Sequence, residues 1–276
     1  MSDTPPKISV LIPVHNGADT LAETVASILE QTFTDFELLL FDDASTDASP
    51  KIINSFTDTR IRRFRSDINL GISAARNRLM ELASGEYLAV MDHDDLSAPQ
   101  RFAKQVALLD NNPEIAMVGS WGQLFCARPP FPGLFGKIKQ AFINLGWVWC
   151  QPTHPDIYDA LRGNPVMHSS SMLRRAALVR DHIVYNPDYS PAEDYDLCRQ
   201  LLAAGWQLAN IPEVLFHYHY HGRNYSLTHK EAMRRADRKV KKDILNLLGR
   251  KSFFWPYFLV MLQKLRLKKF LRNDND

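Results

Sequence analysis

Cysteine is scarce in this chain and poorly placed for a framework role: 276 residues hold three, Cys126, Cys150 and Cys198, and no two stand as C-x-x-C. An odd number at such spacing speaks against a disulfide scaffold and fits reduced thiols that pack in a cytoplasmic protein. No basic stretch leading into an apolar one precedes Lys7, so no secretory signal is readable and the body is expected to stay where it is made. No G-x-G-x-x-G follows the first apolar run, which argues against a dinucleotide-dependent oxidoreductase. Long apolar runs are missing too: Ser252 to Leu262 spans about 11 residues, where a membrane-spanning helix needs about 20. Hydrophobic residues still make up 45% of the sequence, enough to exclude disorder and to bury the core of one sizeable α/β domain with a C-terminal appendage.

A strong net charge is also lacking, but the formal +2 conceals an asymmetry. Residues 230–276 carry 14 Lys and Arg against 5 Asp and Glu, net +9, which leaves net −7 for residues 1–229. The tail interleaves this charge with Phe253, Phe254, Trp255, Tyr257 and Phe258. Basic residues flanking an apolar stretch suit a lipid surface better than nucleic acid, so the tail is expected to lie on a bilayer without crossing it, the alternative being that its aromatics dock on the body or form a dimer contact.

Local patterning alternates strand and helix. Ile8 to Ile12 is a β-branched run ending at Pro13, and Thr20-x-x-Glu23 predicts a capping box before a helix with Leu21, Val25, Ile28 and Leu29 on one face. Phe36 to Phe41 is apolar almost throughout, as a parallel strand covered on both faces should be. A helix from about Ser49, a strand Ile61 to Phe64, a helix Ser73 to Ala83, a strand Glu86 to Met91 and a helix after Pro99 follow. The rhythm predicts an α/β, mostly parallel sheet flanked by helices, in which ligands bind beyond the carboxyl ends of the strands. Three polar clusters fall at those ends: Pro13 to Gly17, Asp42 to Asp47 and Asp92 to Asp95. From 124 to 151, prolines, glycines and aromatics break the pattern and read as an inserted lobe. Order returns at Pro165 to Leu173 and in a helix Asp194 to Ala204 stopped by Gly205. Residues 230–248 read as a basic helix with Met233, Val240, Ile244 and Leu247 on its apolar side. The division expected is 1–229 as the catalytic body, with halves 1–123 and 124–229, followed by the extension 230–276.

Asp92-His93-Asp94-Asp95 after an apolar strand offers few carboxylates to a divalent cation, as a site does when phosphates supply further ligands. Glu193-Asp194 opens a helix after Pro191, where the N-terminus favours and orients a carboxylate. Each cluster alone also reads blandly, as a solvated loop, a turn or a helix-stabilising charge.

Together, Ser9-Val10-Leu11-Ile12-Pro13-Val14-His15-Asn16, Phe41 to Asp47, Asn69-Leu70-Gly71-Ile72-Ser73-Ala74-Ala75-Arg76-Asn77, Met91 to Asp95 and Ala192 to Leu197 resemble, in order, the motifs of the family 2 glycosyltransferases of GT-A fold. The resemblance covers about residues 7–225. It implies metal-dependent, inverting transfer of a sugar from a nucleotide diphosphate, a UDP-sugar above others, to a glycan or glycolipid acceptor at the inner face of the cytoplasmic membrane. It places Pro13, His15 and Asp43 at the base and ribose, Gly71 and Arg76 near the diphosphate, and Asp92 and His93 at the nucleotide. Asp94 becomes a ligand to Mn2+ or Mg2+, with His221 beside it, and Asp194 the general base. His15 stands where many members carry Tyr, and His219 replaces an Arg of the usual segment before His221. Gly163 to Arg175 is similar to the acceptor-side region of bacterial members that extend lipooligosaccharide or capsule chains. Two other readings stay open: an inactive sugar-nucleotide-binding homologue, and a haloacid-dehalogenase-like phosphotransferase, whose Asp-x-Asp however follows its first strand.

Overall fold

A computed structural model describes residues 4–125, 146–220, 224 and 228–249. The tail segments 252–262 and 264–272, the centre of the lobe at 126–145, Cys126 and His221 lie outside the described residues. Nine strands form one sheet: β1 (Ile8–Val14), β2 (Phe36–Asp43), β3 (Ile61–Ser66), β4 (Tyr87–Val90), β5 (Leu96–Ser97), β6 (Ile115–Phe125), β7 (Val148–Trp149), β8 (Met172–Arg174) and β9 (Gln207–His219). The order is β3-β2-β1-β4-β8-β6-β9-β5, with β7 paired to β6. The first four strands in that order are parallel; β8 runs antiparallel between β4 and β6, and β9 lies parallel to β6.

Helices α1 (Leu21–Leu29), α2 (Ser49–Ser55), α3 (Ile72–Leu82) and α4 (Arg101–Asn111) follow the early strands; α5 (Ile157–Arg162), α6 (Arg175–Arg180), α7 (Glu193–Ala203) and α8 (Lys230–Leu247) come later. Period-2 alternation divides the core between the faces of the sheet. Ile8, Val10, Ile12 and Val14 pack with Leu21, Val25 and Ile28 of α1 and Phe102 and Leu109 of α4. Leu11 joins Leu39, Phe41, Leu79 of α3 and Leu201 of α7. A third cluster fastens α8 to the body through Val240, Ile244 and Leu245 against Ala160, Leu161 and Tyr195, each large side chain contributing about 1.5–3 kcal/mol.

Four local expectations change. Strand β1 runs through Pro13, which is in register with Phe41 but beyond Leu11↔Val90, the last pair with β4, so its missing N–H costs nothing on that side. Thr20 precedes α1 without a side-chain capping bond; its hydroxyl donates instead to the carbonyl oxygen of His93 at 3.0 Å. On α8, Leu247 is exposed and Leu245 is buried in its place. Strands β6 and β9, which patterning did not announce, complete the sheet.

Candidate active site

The loops after β1, β2 and β4 meet at the carboxyl ends of the parallel strands and are laced together. Asn16 and Ala44 both adopt φ 55°, a left-handed conformation that Asn tolerates well. From it the Asn16 side-chain oxygen accepts the Thr46 amide at 2.9 Å while its own amide donates to Ser45 Oγ at 3.0 Å. Gly17 touches the β4 loop so closely that a Cβ there would stand 2.3 Å from His93 Cδ2. His93 is therefore a wall of the site, with its carbonyl oxygen accepting from both Thr20 and Thr24.

Asp43 is buried at the end of β2, and its two carboxylate oxygens accept the amides of Leu70 at 2.7 Å and Gly71 at 3.0 Å. Gly71 has φ 82°, which favours glycine and turns its N–H toward that carboxylate. His15 is exposed beside them, its Nδ1 2.8 Å from the Asp43 carbonyl oxygen and its ring within 3.2 Å of the Asn69 amide. Each Asp43 oxygen keeps a second lone pair for a ligand N–H. Pro13 is buried within β1.

The acidic centre is built around Arg76. Its guanidinium is 7% exposed and spans two motifs: Nη2 donates to Asp92 Oδ1 at 2.9 Å and Nη1 to Glu193 Oε1 at 2.8 Å. The Tyr185 ring lies 5.5 Å from the same guanidinium, and Tyr185 Oη is 2.9 Å from His168 Nε2. Ser169 Oγ donates to the second Asp92 oxygen. Burial pushes the Asp92 carboxyl up, but Arg76 and the bond from Ser169 outweigh it and hold its pKa at about 2. Behind it Asp95 is fully buried, accepts the His219 amide at 2.8 Å, and is pushed well up by burial and by Asp94 and Asp92.

Asp194 stays partly open on the first turn of α7 while Glu193 is buried. Its Oδ1 accepts the Tyr195 amide at 2.7 Å and its Oδ2 the Asn164 side-chain amide at 2.9 Å. Burial first, then the charge of Glu193, raises its pKa to about 6, with Arg76 opposing. A carboxylate so poised is ionised at neutral pH and basic enough to take a proton.

Asp43, Gly71, Arg76, Asp92, His93, Asp94 and Asp194 thus lie on connected loops and on the N-terminal halves of α3 and α7. Sequence reasoning put Arg76 near a diphosphate; its charge is already matched by Asp92 and Glu193. It did not single out Asn164, Ser169 or the pairing of Glu193, although the first two lie in the Gly163 to Arg175 segment.

Among the described residues no three His, Cys, Asp or Glu side chains form a preassembled metal cluster. The donor set nonetheless fits a hard divalent cation: Asp92 is ionised and oriented, and Asp94 stands partly open two residues on. Mg2+ and ions like it are held by one or two carboxylates, with water and substrate phosphates completing the shell.

In comparison with known proteins, residues 9–146 match the family described as glycosyl transferase family 2. An uncharacterized glycosyltransferase of Haemophilus influenzae is 30% identical over 252 residues, 88% of this chain and 76% of the relative. The Escherichia coli UDP-Glc:alpha-D-GlcNAc-diphosphoundecaprenol beta-1,3-glucosyltransferase WfaP is 26% identical over 83% of this chain and 84% of its own length. The Pyrobaculum calidifontis mannosyltransferase PcManGT, solved with GDP-Man and Mn2+, superposes with a TM-score of 0.59 at 18% identity, over 98% of this chain and 83% of that one.

Proposed function

The chain belongs to glycosyl transferase family 2 and has its GT-A fold, and from that premise we propose that it transfers a sugar from UDP to a lipid-linked glycan in the synthesis of a bacterial surface polysaccharide or lipooligosaccharide, inverting the anomeric centre. The observation that carries the reading is the Arg76 bridge, which fixes the Asp92 loop and the Glu193-Asp194 turn to one buried guanidinium. In this reading the donor-side Asp92 and the acceptor-side Asp194 serve one reacting centre.

In this reading the base sits among the loops of Asp43, His15 and Gly71, and Asp92 holds the ribose. Asp94, with Asp92, would hold Mn2+ or Mg2+, which would supply positive charge to the leaving diphosphate. Asp194 accepts the proton of the acceptor hydroxyl as that oxygen bonds to the anomeric carbon and the carbon–diphosphate bond breaks, its electron pair leaving with the phosphate. With Glu193 spent on Arg76, Asp194 is left as the one partly open carboxylate of the α7 turn, and a single general base there supports an inverting displacement. The diphosphoundecaprenol named in the Escherichia coli relative supports a lipid-linked acceptor. We place the catalytic body at residues 1–229, working at the inner face of the cytoplasmic membrane, with α8 of the 230–276 extension packed on that body and the part after Gly249 against the lipid. Among the described residues no helix is long and apolar enough to cross a membrane.

The test is a thermal-shift titration with UDP, GDP, UDP-Glc and UDP-GlcNAc, with Mn2+ or EDTA, followed by transfer to a polyprenyl-diphosphate-linked sugar. A nucleotide at about 100 times its Kd adds about 2.7 kcal/mol to stability, several degrees in Tm. A cation-dependent shift with UDP compounds and product formation are expected. An absent shift, or one of equal size in EDTA, overturns the donor site.

A further inference from the structure

Asp194 is useful as a base only if one oxygen lone pair points at the acceptor, and a free carboxylate on a helix turn would swing about its χ angles. Oδ1 is pinned by the backbone amide of its own neighbour, Tyr195, at 2.7 Å. Oδ2 is pinned from a different part of the chain, by Asn164 Nδ2 at 2.9 Å, 30 residues away in sequence.

Asn164 is itself held the right way round. A side-chain amide can flip, exchanging its donor and acceptor ends. Here the oxygen end faces the Cys198 thiol at 3.4 Å and the Val166 amide at 3.4 Å. Cys198 is fully buried on α7, one helical turn below Asp194. Its other neighbour is Met117 Sδ at 3.7 Å, a weaker acceptor than an amide oxygen. A flipped amide would set an oxygen against the Asp194 carboxylate and an NH2 group against two donors. The thiol, the amide and the carboxylate therefore form a chain with one satisfied arrangement.

We propose that Asn164 is a positioning residue for the sugar-transfer reaction, fixing the Asp194 carboxylate toward the acceptor, with Cys198 fixing Asn164 in turn. This rests on the assignment of Asp194 as general base. Among the described residues the charged or titratable groups that bear on Asp194 are Glu193 and Cys198 on its own helix, Arg76 on α3, Asp92 after β4 and Tyr185. None but Cys198 is altered by changing Asn164.

The experiment compares wild type, Asn164→Ala and the nearly isosteric Asn164→Asp in sugar-transfer kinetics across pH and, without substrate, in a 13C titration of the Asp194 carboxyl assigned by its loss in Asp194→Asn. A hydrogen bond to the ionised form favours that form. Its removal should raise the Asp194 midpoint and the acid limb of kcat by roughly one pH unit in Asn164→Ala, and further in Asn164→Asp, where a second carboxylate adds repulsion. A small misplacement of a reacting group costs up to about a hundredfold, so kcat should fall about 10- to 100-fold with donor KM nearly unchanged. Cys198→Ser, which keeps a donor, should titrate like wild type, and Cys198→Val should move toward Asn164→Ala. An Asp194 midpoint unmoved in both Asn164 variants overturns the proposal, as does unchanged kcat. If wild type turns over no sugar nucleotide, it is the functional reading that falls, and the carboxyl titration still decides whether Asn164 holds Asp194.

Discussion

Replacing Asp194 by Asn should make the protein inactive and more stable, and the stability gain should depend on pH. Burial and Glu193 raise the Asp194 pKa from the ordinary 3.8 to about 6, and about two units correspond to about 3 kcal/mol. An acid whose folded-state pKa is raised contributes stability that is complete below its unfolded pKa and lost as pH rises through the folded one. The wild type therefore gives up stability between about pH 4 and pH 6, while the Asn variant, which never ionises, keeps it. The full 3 kcal/mol is a ceiling: Asp194 is partly open, and an Asn that offers its oxygen to Tyr195 N turns an NH2 toward the Asn164 amide, a mismatch that costs about 1 kcal/mol or more. A net gain of about 1–2 kcal/mol remains, roughly 3–6 °C in Tm for a chain of this size. Melting curves at about pH 5 and about pH 8 should show the gain mainly at the higher pH. Transfer should fall by about 10²–10⁴ while UDP binding stays nearly intact. Equal Tm differences at both pH values, or a destabilised variant at the higher one, would refute a buried, charge-strained base.

Removing Arg76 should act in the opposite sense. Arg76→Met strands Glu193 and Asp92, and deleting one partner of a buried ion pair costs about 3–5 kcal/mol. Because Asp92 is held at about 2, its share is present above an unfolded pKa of about 3.9 and fades as pH falls toward 2, so urea unfolding at neutral and acid pH should show the deficit shrinking. Asp94→Ala should abolish the cation dependence of UDP binding by calorimetry; wild-type affinity in that variant removes Asp94 from the metal site. Liposome flotation should carry the full chain, and not one ending at Gly249, onto anionic vesicles at low salt; equal behaviour of the two, by either route, removes the membrane role of the tail.

The first half of the sheet was legible because its strands announce themselves: Phe36 to Phe41 is apolar on both faces and stops at an aspartate pair. Strand β6 was not, since Gly119, Ser120 and Gly122 interrupt its apolar run. The structure needs those glycines: a Cβ at Gly119 would stand 2.5 Å from Asn210 Oδ1, and one at Gly122 2.5 Å from Met167 Sδ. Strand β9 was hidden by Pro212 and Glu213, which fall where the register jumps from Ser120↔Ile211 to Trp121↔Val214. A bulge there absorbs the proline that a regular ladder would reject. Asp43, Asp92 and Asp194 could be found because their motifs are contiguous. The pairings that orient them could not: Arg76 and Glu193 are 117 residues apart and Asp92 and Ser169 are 77, and no periodicity reports such a long-range contact.

The pairing of Arg76 also bears on why the proposed function assigns a cation to this site. A guanidinium beside the Gly71 loop looks like a counter-charge for a diphosphate, yet both its Nη groups are committed to carboxylates. Among the described residues Asp92 and Glu193 share that one buried cation and Asp194 adds a third carboxylate beside them, so this side of the site carries negative charge before any ligand arrives. Two like charges about 4 Å apart repel by about 4 kcal/mol at an effective dielectric of 20, so a diphosphate entering beside Asp92 and Asp94 meets several kcal/mol of repulsion. Basic residues already spent on the scaffold cannot relieve it. A divalent ion held by Asp92 and Asp94 would supply the missing positive charge, and those carboxylates alone do not offer a full shell. On this charge balance, cation and nucleotide each bind weakly alone and strongly together, which is the cooperativity that calorimetry on Asp94→Ala is set to measure.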